Sequence, residues 1–171
     1  MRFSGRSRHH SAEPSTDIEA AREAALKMLE RMRTRQDLAR RLSEKGFAAS
    51  AIDHVLERLA SAGLVDDAEF ARAFLAGRWG RRSAGWRRLE RELRSRGISV
   101  DDIERGRAML EAEVGTIDEL SSARRLIAQA ARRYQTLRPE LRRRRLYALL
   151  VRRGFDGETI EQALRGDPES D

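Results

Sequence analysis

The sequence predicts an all-α chain of three tandem, diverged three-helix repeats forming an elongated array. Three observations carry that expectation. The first is a pattern that occurs three times: Leu38, Leu42, Gly46, Phe47 and Ile52; then Leu89, Leu93, Gly97, Ile98 and Ile103; then Leu146, Leu150, Gly154, Phe155 and Ile160. The internal intervals are four, four, one and five residues in every copy. The second is a further amphipathic stretch ahead of each copy. The third is composition: 40% hydrophobic and only 5% aromatic residues against 37% charged is lean for one thick core but suits stacked amphipathic helices. No alternating β-branched run points to a strand.

Each element follows from the pattern. Two leucines four apart share one helix face. The glycine comes four residues later, where a helix ends most easily because glycine accepts the left-handed backbone of the position after the cap. The large apolar residue pins the turn, and the isoleucine opens the inner face of the next helix. The preceding helices are marked by Ala25, Leu26 and Leu29, by Phe70, Ala71 and Phe74, and by Ala123, Leu126, Ile127 and Ala130. Capping-box patterns start the repeats at Thr16 with Glu19, Asp66 with Glu69, and Thr116 with Glu119. Looser versions occur at Thr34 with Asp37 and Ser99 with Asp102, and Pro139 suits a first helical turn. The expected helices are 17–32, 35–45, 49–62, 67–77, 83–96, 100–113, 117–134, 139–153 and 157–165. They group as repeats at 17–65, 66–114 and 115–166, between a disordered tail at 1–16 and a short one at 167–171. Such units cannot bury their faces alone, so neighbours stack. A compact bundle in which the repeat is only ancestral is the alternative.

Several function classes are disfavoured. Cysteine is absent, which removes disulfides and thiolate metal sites. The first sixteen residues lack the apolar core of a signal peptide, and no stretch approaches the roughly 20 apolar residues that span a bilayer. A cytoplasmic protein without membrane contact is expected. No glycine-rich loop ends in Gly-Lys-Ser/Thr, so no phosphate cradle is expected. His9 and His10 fall in the polar tail and His54 stands alone, which builds no metal site. Asp66 and Asp67 precede a helix, where capping accounts for them better than acid–base work. No nucleophile–base pair is found, and the expected chain has no catalytic residue and no cofactor.

The charge points to a partner. The net charge is +7, but 28 acidic residues accompany 35 basic ones, so its location matters more than its total. Residues 1–67 are almost balanced. Residues 78–96 set eight arginines against two glutamates, and residues 132–153 set nine against one. Both concentrations fall around the middle helix of their repeat. Arginines that simply solvate helix exteriors are the plainer reading. Four in a row, Arg142, Arg143, Arg144 and Arg145, cover all sides of a turn without compensating acids, which favours a binding face for phosphates or an acidic protein groove. The candidate contact residues are Arg81, Arg82, Arg87, Arg88, Arg91, Arg138, Arg142, Arg143, Arg144, Arg145, Arg152 and Arg153. Trp79, in the connection between Gly77 and Gly85, joins them as an aromatic surface contact. Trp86 and Tyr147 each lie three residues before a core leucine and are expected inside.

Four stretches resemble the RecX family of bacterial regulatory proteins. They are Arg31-Met32-Arg33-Thr34-Arg35-Gln36-Asp37-Leu38; Gly63-Leu64-Val65-Asp66-Asp67 running on to Phe70 and Ala71; Arg82-Ser83-Ala84-Gly85 leading to Leu89, Leu93, Gly97 and Ile98; and Leu149-Leu150 through Arg153-Gly154-Phe155 to Ile160. The likeness covers about residues 20–166. It departs at Arg107, which takes the position of Leu56 and Leu164, and at Ala48, which lacks the polar cap of Ser99 and Asp156. The resemblance implies tandem three-helix repeats and a modulator that lies on RecA filaments assembled on single-stranded DNA, restraining recombinase, ATPase and co-protease activities. ATP then belongs to the partner, and the chain is expected to be a monomer. The alternative is a nucleic-acid-binding protein that acts on single- or double-stranded DNA directly through its arginine-rich helices.

Overall fold

The computed structural model describes residues 13–79 and 84–165. Residues 1–12, 80–83 and 166–171 lie outside the described residues. The expected C-terminal tail, most of the expected N-terminal tail and the candidates Arg81 and Arg82 therefore fall there. Among the described residues the chain forms nine helices: α1 (Ile18–Met28), α2 (Arg35–Glu44), α3 (Ala49–Ser61), α4 (Asp67–Arg78), α5 (Trp86–Arg94), α6 (Val100–Val114), α7 (Glu119–Tyr134), α8 (Pro139–Arg153) and α9 (Gly157–Arg165). The fold is all-α, ordered as three three-helix repeats. No helix among the described residues is long and apolar enough to cross a membrane.

The repeated spacing is the signature of one particular helix ending. In each copy the glycine N–H reaches the carbonyl three residues back, from Gly46 to Ser43 (2.9 Å), Gly97 to Arg94 (2.9 Å) and Gly154 to Val151 (3.0 Å). The following apolar residue donates to the second leucine of its copy, Phe47 to Leu42 (3.2 Å), Ile98 to Leu93 (3.4 Å) and Phe155 to Leu150 (3.2 Å). These two bonds define a Schellman ending, and they require the left-handed backbone that the glycines adopt at φ 88°, 78° and 88°. The leucine and the residue after glycine are the two ends of its apolar clasp.

Each repeat then closes its own core. The six leucines of the pattern are at most 1% exposed, and Ile52, Ile103 and Ile160 are buried with them. In every repeat the first and third helices pack together: α1 on α3, α4 on α6 and α7 on α9. Burying one leucine side chain contributes about 1.5–3 kcal/mol, so the six leucines supply a large share of the apolar driving force.

Some helix ends and caps differ from expectation. The eighth and ninth helices keep the expected bounds, but α1 stops at Met28 instead of reaching 32. Leu29 closes it with an N–H shared between the Ala25 and Leu26 carbonyls, and Arg33 Nε donates to the Met28 carbonyl at 2.8 Å. The cap of α1 is Asp17, not Thr16, because Ser15 is held extended by exchanging backbone bonds with Gly46 and Ala48 (2.7 Å each). Asp66 and Ser99 cap as expected, whereas α7 is capped by Asp118 rather than Thr116.

The helices group into two compact units. The first contains α1, α3 and α2 from Asp37 onward, around Ala21, Ala25, Leu38, Leu42 and Val55. The second contains Thr34–Gln36 and everything from Asp66 on. Inside the second unit the second and third repeats interlock. The Gly85 N–H donates to the Arg153 carbonyl at 2.9 Å. A side chain on Gly85 would strike the Gly154–Phe155 backbone, and one on Gly154 would strike Arg88. A carboxylate supports the joint: Glu119, at the start of α7, accepts from the Trp86 backbone N–H that opens α5. Asp67, at the start of α4, accepts from the Arg35 N–H at 2.9 Å in the same way. Burial pushes both carboxyls above their ordinary values, opposed by those N–H donors.

Candidate partner-binding faces

The arginine-rich helices owe their open charge to where acids are missing. On α5, Glu92 pairs with Arg88 (3.0 Å) and Arg78 (3.9 Å), and Glu90 sits 3.9 Å from Arg94. Arg87 and Arg91 are exposed and form no ion pair among the described residues. On α8, Arg143 pairs with Glu161 at 2.8 Å. Arg138, Arg144, Arg145 and Arg152 are exposed and likewise form no ion pair among the described residues. Exposed ion pairs are worth little to folding, but unneutralised clusters raise the local potential that attracts anions.

Two of the arginine helices meet at one cleft of the second unit. Arg78, Arg88 and Arg153 line a space of about 400 Å³ together with Ala84, Leu89 and Glu92. Three guanidinium groups against one carboxylate leave it cationic, which suits a phosphate or carboxylate. The N-terminal part of α5 and the C-terminal end of α8 come together here because Gly85 lies on the α8–α9 turn. Among the described residues, no group of three or more His, Asp or Glu side chains could hold a metal ion.

Two candidates, Trp79 and Arg142, and one expected core residue, Tyr147, change character in the structure. Trp79 is 7% exposed and is not a surface contact. It closes α4 with an N–H bond to the Leu75 carbonyl (2.7 Å), and its ring folds into the core of the second repeat, stacked on Trp86 with centroids 5.2 Å apart. Arg142 is 4% exposed, because it stands four residues before Leu146 and prolongs the inner stripe of α8 by one turn. The run Arg142 to Arg145 is therefore divided: one buried, one paired, two open. Tyr147 goes the other way and is 40% exposed. It follows Leu146 by one residue, about 100° round the helix, whereas Trp86 precedes the equivalent Leu89 by three and stays at the flank of the core. Leu141 (41%) and Val151 (49%) are also exposed on α8, so its exposed surface mixes open arginines with an aromatic and two aliphatic groups.

Two further residues have roles that the sequence reading did not give them. Arg107, read as a departure from the leucine pattern, lies over the Trp86 ring at 4.6 Å and the Trp79 ring at 5.4 Å while pairing with Glu111 at 3.1 Å. The signal was the coincidence of one Arg-for-Leu exchange with two tryptophans in the same repeat. Asp37 is the other. Burial raises its carboxyl, but hydrogen bonds from Arg41, Arg40 and Arg33 outweigh that and hold it down at about 2. Arg41 and Arg40 of α2, and Arg33 just ahead of it, are thereby bound up at 2.9, 2.6 and 2.8 Å.

Comparison with known proteins places this architecture. Family models described as the first, second and third three-helix domains of RecX match residues 21–59, 66–106 and 117–164. The regulatory protein RecX of Mycobacterium ulcerans is 37% identical over 147 residues, covering 85% of this chain and 82% of its own. That of Chlorobium phaeobacteroides is 31% identical over 155 residues, covering 87% and 94%. Among solved structures, RecX from Lactobacillus salivarius superposes with a TM-score of 0.77 at 19% identity, over 87% of this chain and 95% of that one. At that identity the superposition speaks for the fold alone.

Proposed function

The chain belongs to the RecX family, and from that premise we propose that it is a regulatory protein that binds RecA nucleoprotein filaments and restrains their recombinase, ATPase and co-protease activities. In this reading it is a non-catalytic cytoplasmic monomer, and the ATP that is turned over belongs to RecA. The observation that carries the reading is a contrast between helices: open arginines on α5 and α8, against Arg40 and Arg41 of α2 tied to Asp37 and Glu44. A filament on single-stranded DNA offers both phosphate and protein surface, and a chain with both kinds of face fits it. Contacts from several repeats of one chain act at high effective concentration, so individually modest contacts add up. Holding neighbouring RecA subunits together opposes the rearrangements that turnover needs.

A second reading is favoured by one feature, the exposure of Tyr147 beside Arg144 and Arg145. An exposed ring among cations can stack on an unpaired base, which supports direct binding of nucleic acid. An ATPase titration on preformed RecA filaments, repeated with surplus single-stranded DNA, separates the two. Inhibition below one chain per RecA subunit that survives surplus DNA is the expected result. Inhibition abolished by surplus DNA selects direct DNA binding, and no inhibition at any ratio removes RecA as the partner.

A further inference from the structure

The first repeat carries its own exposed apolar groove, and it lies wholly in the first unit. Val55 and Leu59 of α3 form the floor, at 1% and 3% exposure. Ile18 and Leu26 of α1 form one edge and Leu64 closes the end, at 36%, 37% and 53% exposure. Single exposed apolar side chains are ordinary, but three large ones around one groove are not. The arrangement follows from the sequence of α1. Its fully buried residues are Ala21 and Ala25, and such small side chains let α3 approach closely while the larger Ile18 and Leu26 stand outside the core. Leu64 is fixed in place: its N–H donates to the Leu59 carbonyl at 2.9 Å in a further Schellman ending, with Gly63 at φ 69°.

The charges on the rim have one sign. Arg22 and Arg58 line the groove, and among the described residues no carboxylate does. Arg58 is exposed and forms no ion pair among the described residues. Arg22 reaches only Glu19, at 3.5 Å in an exposed pair, which holds it weakly. A cavity of about 120 Å³ has the size of one inserted ring or branched aliphatic group, not of a whole ligand.

We infer that the α1–α3 groove docks a protein segment of the partner, one apolar anchor residue with carboxylates beside it. The inference rests on the RecA reading and divides the labour of the chain: this groove meets protein, while the open arginines of α5 and α8 meet phosphate. Anchoring by side chains set in a groove between two helices is a common mode of peptide recognition. The apolar floor offers nothing to a phosphate backbone, and the rim repels a basic segment.

The test uses the full chain carrying Leu64→Ser and Arg58→Glu together, two exposed positions, with the fold checked by thermal melting. Affinity is measured for preformed RecA filaments and, separately, for single-stranded DNA alone. The expected result is a loss of at least about tenfold on filaments, a free-energy change of about 1.4 kcal/mol, with DNA affinity unchanged and Arg58→Lys retaining filament binding. Unchanged filament affinity in the folded double variant overturns the groove as a docking site. A parallel loss on free DNA overturns its protein occupant. Failure of the wild-type chain to bind filaments removes the RecA reading and this proposal with it.

Discussion

α2 and α8 stand at the same place in the first and third repeats, with leucines at matching positions and the same glycine-centred exit at φ 88°. Both are rich in arginine. On α2 an aspartate lies three or four residues from each of Arg33, Arg40 and Arg41, and Glu44 takes Arg40 as well at 2.6 Å. On α8 the one acid of the first turn, Glu140, forms no ion pair among the described residues, and Arg144, Arg145 and Arg152 stay open. The comparison teaches that a common repeat fixes where a helix lies but not what it offers. Two carboxylates at helical spacing turn a cationic helix into a largely self-paired one.

The two exits give the largest expected difference. Gly46 has no atom within 4 Å of the place a side chain would occupy, whereas Gly154 abuts Arg88. Gly46→Ala should cost only the left-handed backbone, about 1 kcal/mol, or about 3 °C in melting temperature. Gly154→Ala adds overpacking against α5 and should cost about 3 kcal/mol, or roughly 10 °C. Equal losses in calorimetry would break the claim that the third repeat is clasped to the second at this turn.

Removing the carboxylate of α2 should produce a smaller effect. Asp37 has its folded value at about 2, below the ordinary 3.8. A depressed carboxyl stabilises the fold above its unfolded value and loses that contribution as pH falls from about 4 towards 2. Asp37→Asn should therefore lower the melting temperature by about 3 °C at pH 7, for three helix-surface pairs of a few tenths of a kcal/mol each, and the gap should close as pH approaches 2. A gap independent of pH would show that the aspartate acts through packing instead. The smallest change is expected from Tyr147→Ala on the exposed surface of α8, within about 0.5 kcal/mol of the parent in a denaturant melt. A larger loss would mean that the ring packs after all.

What could be read in advance was local. The leucine–leucine–glycine–apolar spacing held because a Schellman ending and its clasp are set by residues within six positions of one another. The bounds of α8 and α9 held because Pro139 and Gly154 are both strong punctuation. Caps at Thr16 and Thr116 failed because tertiary bonds moved the helix starts: Ser15 is tied to Gly46 and Ala48, and Glu119 reaches across to Trp86. Trp79 was misplaced for a similar reason, since a ring at a helix end can turn inward only against neighbours supplied by other elements. Tyr147 was a phase error, measured from Leu150 when the equivalent tryptophan is measured from the first leucine of its pair. The neutralisation of α2 was legible from Arg33, Asp37, Arg40 and Arg41, but net charge over a long segment concealed it. The groove of the first unit was not, because Ile18 and Leu26 look like core residues until the alanines of α1 are seen to fill that place.

The contrast between α2 and α8 is tested most directly by neutralising arginines on each helix in turn. Inhibition of RecA ATPase on preformed filaments would be titrated with the parent chain, with Arg144→Ala/Arg145→Ala/Arg152→Ala, and with Arg40→Ala/Arg41→Ala. Losing several phosphate or carboxylate contacts should raise the concentration for half-inhibition by at least about tenfold in the α8 variant, and raising the salt should weaken the parent more steeply than that variant. The α2 variant should stay close to the parent at any salt. Equal shifts in the two variants, or a larger one for α2, would contradict the account.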